Sequence, residues 1–236
     1  MPAQSAAVLL ADLTSPEVGW RAAAGAILAV PIGSTEQHGA HLPLSTDTDV
    51  ALALCRRLGE SRTDVIIAPP LAYGSSGEHA GFAGTLSIGQ VAVELVVLEL
   101  GRSATDTFEH LVFVSAHGGN TEAVTAAVHT LRAESRDVLL YLPRWEGDPH
   151  AGHPETSMML DLAPELVQLD RAVRGDVRSL AETWPLLRSG GVRAVTDTGV
   201  LGDPTHATVM AGRRLLDVLA ARLIHDVATW CPPVLR

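Results

Sequence analysis

Imidazole and carboxylate side chains crowd into three short stretches of this 236-residue chain. The first reads Pro31-Ile32-Gly33-Ser34-Thr35-Glu36-Gln37-His38-Gly39-Ala40-His41-Leu42-Pro43-Leu44-Ser45-Thr46-Asp47-Thr48-Asp49. The second is Ser115-Ala116-His117-Gly118-Gly119-Asn120, and the third is His150-Ala151-Gly152-His153-Pro154-Glu155-Thr156-Ser157. This donor mixture suits a borderline divalent ion such as Zn²⁺, Mn²⁺ or Fe²⁺ better than Ca²⁺, and a spare carboxylate able to bridge invites a two-metal centre. Each residue also has a plainer reading. Asp47 or Asp49 would cap the helix that starts there, Glu155 would complement the N-terminus of its own helix, and any single histidine would be a hydrogen-bonded loop residue. Three stretches together outweigh those separate readings. Gly118-Gly119 adds a place where backbone can approach closely and where the next helix offers N–H groups to an oxyanion.

The elements that position these residues are legible as short apolar runs. Ala26-Ile27-Leu28-Ala29-Val30-Pro31, Val65-Ile66-Ile67-Ala68, Leu111-Val112-Phe113-Val114 and Val138-Leu139-Leu140-Tyr141-Leu142 suit strands buried on both faces of a parallel sheet. Helical stretches at about 47–58, 90–107 and 120–134 are long enough for crossovers, and the alternation argues for an α/β sandwich. A further helix begins at Glu155-Thr156-Ser157-Met158-Met159-Leu160, and a long amphipathic one covers 207–230, whereas the Gly- and Arg-rich segment 174–203 reads as irregular. In an open parallel sheet ligands bind beyond the carboxyl ends of the strands. Six of the ten histidines (His38, His41, His79, His117, His150 and His153) follow expected strands, which favours one polar pocket, while His129 and His225 fall within helices. With no repeat and no linker, residues 1–236 read as one domain.

Composition removes several function classes. The formal charge of −10 argues against a nucleic-acid partner. All 17 basic residues are Arg, so chemistry carried by a lysine amine is absent. The sequence lacks G-x-G-x-x-G, H-E-x-x-H and G-x-S-x-G, and Gly74-Ser75-Ser76-Gly77 is one residue short of the last. The two cysteines, Cys55 and Cys231, lie far apart and imply a reducing compartment. Met1-Pro2-Ala3-Gln4 has no basic lead-in to a signal peptide and no apolar run is long enough for a membrane span, so the expectation is a cytoplasmic protein with no membrane partner.

With these residues in hand, the chain resembles the creatininase (creatinine amidohydrolase) family of binuclear-metal C–N hydrolases. The resemblance rests on the 31–44 block followed by Asp47, on Tyr73-Gly74-Ser75-Ser76-Gly77-Glu78-His79 with Phe82-Ala83-Gly84-Thr85, on the His117-Gly118-Gly119-Asn120 segment and on Glu155-Thr156-Ser157. It implies a three-layer α/β/α sandwich with a mostly parallel central sheet. It also implies that Glu36 and His117 bind one divalent ion (Zn, Fe or Mn), that His38 and Glu155 bind a second, and that Asp47 bridges them. His150 matches the family's catalytic histidine, which moves a proton from attacking water to the departing nitrogen. Creatininase itself has a further carboxylate where this chain has Gly119 and an aromatic residue where it has Gly118, which implies a first metal completed by water and a substrate other than creatinine. The block 75–86 and the Arg-only composition most resemble the mycofactocin-system branch of the family, which trims a modified ribosomal precursor peptide near its C-terminus. The family likeness further implies a homo-oligomer built from dimers. Competing readings are another amidohydrolase of the family, acting on creatinine or on a formamide, and a non-catalytic scaffold. Trp145 reads equally as pocket wall or core, and Arg144 and Arg193 as solvated side chains or as anchors for acidic groups on a peptide.

Overall fold

The computed structural model describes residues 6–233; the leader reading at Met1-Pro2-Ala3-Gln4 lies outside the described residues. Five parallel strands form one sheet in the order β1 (Val8–Leu9), β3 (Val65–Ile67), β2 (Ile27–Ile32), β4 (His110–Ser115), β5 (Asp137–Tyr141). Among the described residues seven α-helices accompany them: α1 (Ser15–Ala23), α2 (Thr46–Ser61), α3 (Gln90–Ala104), α4 (Thr121–Ala133), α5 (His153–Leu162), α6 (Leu180–Gly190) and α7 (Val209–Trp230). The four expected strands are all present. The edge strand β1 is too short for its apolar run to distinguish it from a loop.

Strand side chains alternate between faces, and this divides the core in two. Ile27 and Ala29 of β2, with Val112 and Val114 of β4, meet Val50, Leu54 and Leu58 of α2 and Leu216, Leu219 and Leu223 of α7. Leu28, Val30 and Ile32, with Leu111 and Phe113, meet Val93 and Val97 of α3 and Val124, Val128 and Leu131 of α4 on the other side. The result is the three-layer sandwich implied by the resemblance. Because β2 is buried on both sides, its sequence is continuously apolar rather than alternating.

One expectation is corrected. The segment 174–203 is not irregular throughout, because α6 forms inside it. The Ser179 hydroxyl accepts the Glu182 N–H at 3.3 Å and the Glu182 carboxylate accepts the Ser179 N–H at 2.9 Å, a reciprocal cap that starts a helix despite Pro185 within it. Helix α1, which the sequence reading passed over, begins the same way: Glu17 accepts the Thr14 N–H at 2.7 Å and Pro16 occupies the first turn. Among the described residues no helix is long and apolar enough to cross a membrane.

Candidate metal centre

The chain leaves β2 toward β3 by way of α2, then crosses back over β2 to β4 by way of α3, so the sheet order reverses between β2 and β4. Ile32 and Ser115 are register partners at the carboxyl ends of those strands, and this is where such sheets hold their ligands. The loop after β2 is pressed against the first turn of α2: a Cβ on Gly33 would lie 2.4 Å from the backbone of Thr48. Thr48 Oγ1 donates to Ser34 O at 3.0 Å, and Ser34 Oγ donates to Asp47 Oδ2 at 2.7 Å. Asn120, fully buried, ties three strand-end loops together by donating to Gly33 O at 2.9 Å and accepting the Ser75 N–H at 2.8 Å.

Glu36, His38, Asp47, His117, His150 and Glu155 are brought together there, all buried. Donor atoms of Glu36, Asp47 and His117 lie within 4.8 Å of one another, as do those of His38, Asp47 and Glu155, and those of Glu36, His38 and His150. His117 Nδ1 is 3.1 Å from Asp47 Oδ2, and His38 Nε2 is 3.3 Å from Asp47 Oδ1 and 3.8 Å from Glu155 Oε2. Asp47 thus faces both imidazoles. His38 Nδ1 donates to Glu36 O at 3.2 Å, which turns Nε2 toward the carboxylates, and that atom has no hydrogen-bond partner. Glu36 Oε2 is orphaned in the same way. Buried polar atoms without partners are rare, and an imidazole that spends one nitrogen on a backbone carbonyl and aims the other at carboxylates has the arrangement of a metal ligand. The donor set therefore fits divalent cations.

Electrostatics give the same picture. Burial and the neighbouring Asp47 push the Glu36 carboxyl up to about 7, and burial likewise raises Glu155 to about 7. Burial opposes charge on His38 and His117, but the carboxylates around them prevail and raise both to about 10. The buried carboxylates are thus balanced by protonated imidazoles. Burial and the charge on His38 hold His150 well below the usual imidazole range, so it is neutral. His150 Nε2 donates to Gln37 O at 2.9 Å, and its Nδ1 stands 3.8 Å from Glu36 Oε1.

The remaining candidates separate. Asp49 stays outside the cluster and accepts Ser45 Oγ at 2.7 Å. Asp47 makes no capping bond, whereas Glu155 accepts the Ala151 N–H at 2.6 Å just ahead of α5 while also facing His38. His41 hydrogen-bonds Thr156 at 2.9 Å, and the backbone N–H of His153 binds Asp148 at 2.9 Å. His79 joins the cluster, with Nε2 3.3 Å from Glu36 Oε1. Gly119 could carry no side chain, since a Cβ there would lie 2.3 to 2.4 Å from Ser75 O, Glu78 Oε1 and His117 Nε2. Sequence reasoning singled out neither Gln37, whose buried amide contacts two histidines, nor the bracing by Asn120. Nothing in composition signals such long-range contacts.

The cluster lines a cleft of about 1640 Å³. Trp145 forms part of its wall and also packs on the core, so both readings of that residue hold. Arg144 reaches the cleft, whereas Arg193 lies over the Phe82 ring at 4.9 Å.

Comparison with known proteins adds the chemistry. The creatininase family profile, described as creatinine amidohydrolase, matches residues 11–227. The chain is 48% identical over 219 residues to the mycofactocin precursor peptide peptidase of Mycobacterium ulcerans, covering 87% of this chain and 86% of that one. It is 32% identical over 204 residues to the creatinine amidohydrolase of Pseudomonas putida, covering 72% and 77% of the two chains. A crystal structure of creatinine amidohydrolase superposes with a TM-score of 0.85 at 25% identity, over 98% of this chain and 100% of the other. A match across nearly the whole chain, on a shared fold, places the protein in the creatininase family, as a hydrolase of amide bonds.

Proposed function

We propose that the protein is a binuclear-metal peptidase that hydrolyses a peptide bond of a modified ribosomal precursor peptide, releasing a C-terminal dipeptide-derived fragment. In this reading Glu36, His117 and Asp47 hold one divalent ion, and His38, Glu155 and Asp47 hold the second. Zn²⁺, Mn²⁺ and Fe²⁺ all suit such donors. Bound there, such ions supply Lewis acidity and bring a water's ionisation toward neutral pH. The observation that carries the reading is the pair of orphaned donors, His38 Nε2 and Glu36 Oε2, beside an Asp47 that faces two imidazoles.

His150 is the proton carrier. Its Nε2 proton is committed to Gln37 O, so its Nδ1 lone pair, on the Glu36 side, takes a proton from the attacking water and returns it to the leaving amine. Burial keeps the ring neutral and ready to accept. Gly118 and Gly119, just ahead of α4, line the cleft, where the N–H groups of a helix start would serve an oxyanion.

The cleft volume exceeds the roughly 300–1,000 Å³ of ordinary small-molecule pockets, which favours a peptide over creatinine. The name of the Mycobacterium ulcerans relative points to the same substrate class. Mass spectrometry of the protein loaded with Zn²⁺, Mn²⁺ or Fe²⁺ and incubated with the modified precursor peptide tests this. Release of a small C-terminal fragment, abolished by a chelator and by Glu36→Ala or His117→Ala, is the expected result. An intact peptide with every metal would return the substrate to the wider amidohydrolase family.

A further inference from the structure

We propose that Gln37 is a positioning residue whose side-chain amide fixes the ring tautomer of His79 and, through that ring, the orientation of Glu36. The inference rests on the reading of Glu36 as a metal ligand. Gln37 is buried, and Oε1 accepts the Gly39 N–H at 2.9 Å while Nε2 lies 3.0 Å from Gly199 O. Turning the amide over would set N–H against N–H and carbonyl against carbonyl, so its orientation is determined by its partners. The fit is tight. Gly199 has φ of +78°, and a Cβ there would lie 1.9 Å from Gln37 Oε1.

Nε2 has two hydrogens and three neighbours: Gly199 O, His79 Nδ1 at 2.8 Å and His150 Nε2 at 3.1 Å. One hydrogen goes to Gly199 O. His150 Nε2 sits 2.9 Å from the backbone carbonyl of Gln37, an acceptor only, so that nitrogen carries its own proton and has no lone pair to offer. The second amide hydrogen therefore goes to His79 Nδ1. His79 must then carry its proton on Nε2, the atom that faces Glu36 Oε1 at 3.3 Å. Glu36 is left with Oε2 as its open donor. One side chain thus holds the ring that holds the ligand, while the backbone of the same residue orients His150.

The test is the two-bond ¹H–¹⁵N spectrum of histidine-labelled protein, metal-free and saturated with Zn²⁺, with the His79 signals assigned by His79→Asn. Unmodified protein should show His79 and His150 both protonated on Nε2. Gln37→Glu keeps an oxygen for Gly39 but has no hydrogen to give, so His79 should move its proton to Nδ1 while His150, bonded to a backbone carbonyl, keeps the Nε2 form. Zinc affinity by calorimetry should fall about 10- to 100-fold, as for other partners of a ligand. A His79 protonated on Nδ1 in the unmodified protein, or a His79 pattern indifferent to Gln37→Glu, would overturn the proposal. Failure of the unmodified protein to bind zinc would instead remove Glu36 as a ligand, and the metal-free spectrum would still report whether Gln37 sets the tautomer.

Discussion

The proton inventory of the buried cluster sets how the site should respond to pH. His38 and His117 titrate near 10 when no metal is bound, because Asp47 and its neighbouring carboxylates outweigh the burial that opposes their charge. At pH 7 each imidazole holds a proton that a cation must displace. Zinc affinity should therefore rise from pH 7 toward 10, with protons released on binding. Calorimetry in two buffers of different ionisation enthalpy reads this directly, and an affinity independent of pH over that range would contradict it. The adjacent glycines offer a second contrast. Gly118→Ala meets open space, whereas the Cβ of Gly119→Ala would be driven into Ser75 O, Glu78 Oε1 and His117 Nε2. The first should leave the melting temperature and zinc stoichiometry unchanged; the second should cost about 1–3 kcal/mol and weaken zinc binding.

At the scale of elements, α6 is the most informative. Leu180, Trp184, Leu187 and Arg188 bring it into the wall of the cleft. Trp184→Ala should raise KM for the peptide and leave kcat nearly unchanged, since the lost contact serves the bound peptide and the transition state equally. Ser179→Ala removes half of the reciprocal cap and should destabilise the helix by about 1 kcal/mol, read as a local gain in hydrogen exchange over 180–190. The same helix shows where sequence reading stops. The doubly buried strands β2, β3 and β4 announce themselves because both faces are apolar, and α2, α3 and α4 follow as crossovers of sufficient length. Helix α6 hides behind glycines, arginines and Pro185, and only its Ser179–Glu182 cap gives it away. In the site, the strand ends make Glu36, His38, Asp47, His117, His150 and Glu155 legible as candidates. Gln37, Asn120 and Gly199 matter through contacts made across the fold, which no local pattern encodes.

Across the whole molecule, the cluster joins the loop after β2, the first turn of α2, the end of β4 and the start of α5. Cations held there would link several layers, so their removal should be felt globally. Zinc at 100 times its dissociation constant should stabilise the fold by about 2.7 kcal/mol for each site it fills. A chelator should lower the melting temperature by an amount that grows with the zinc previously present, and identical melting curves with and without chelator would argue against occupied sites. The placement of α7 carries a different consequence. One face of the sheet, with Ile27, Ala29, Val65, Ile67, Val112 and Val114, is closed by α2 together with Leu216, Leu219, Leu223 and Val227 of this last helix. The ribosome makes those four side chains after every strand of the sheet has already emerged. Until then the apolar side chains on that face lack half their cover, a surface that invites chaperones or neighbouring chains, and a message cut short before Val209 should yield aggregate rather than a weakened enzyme.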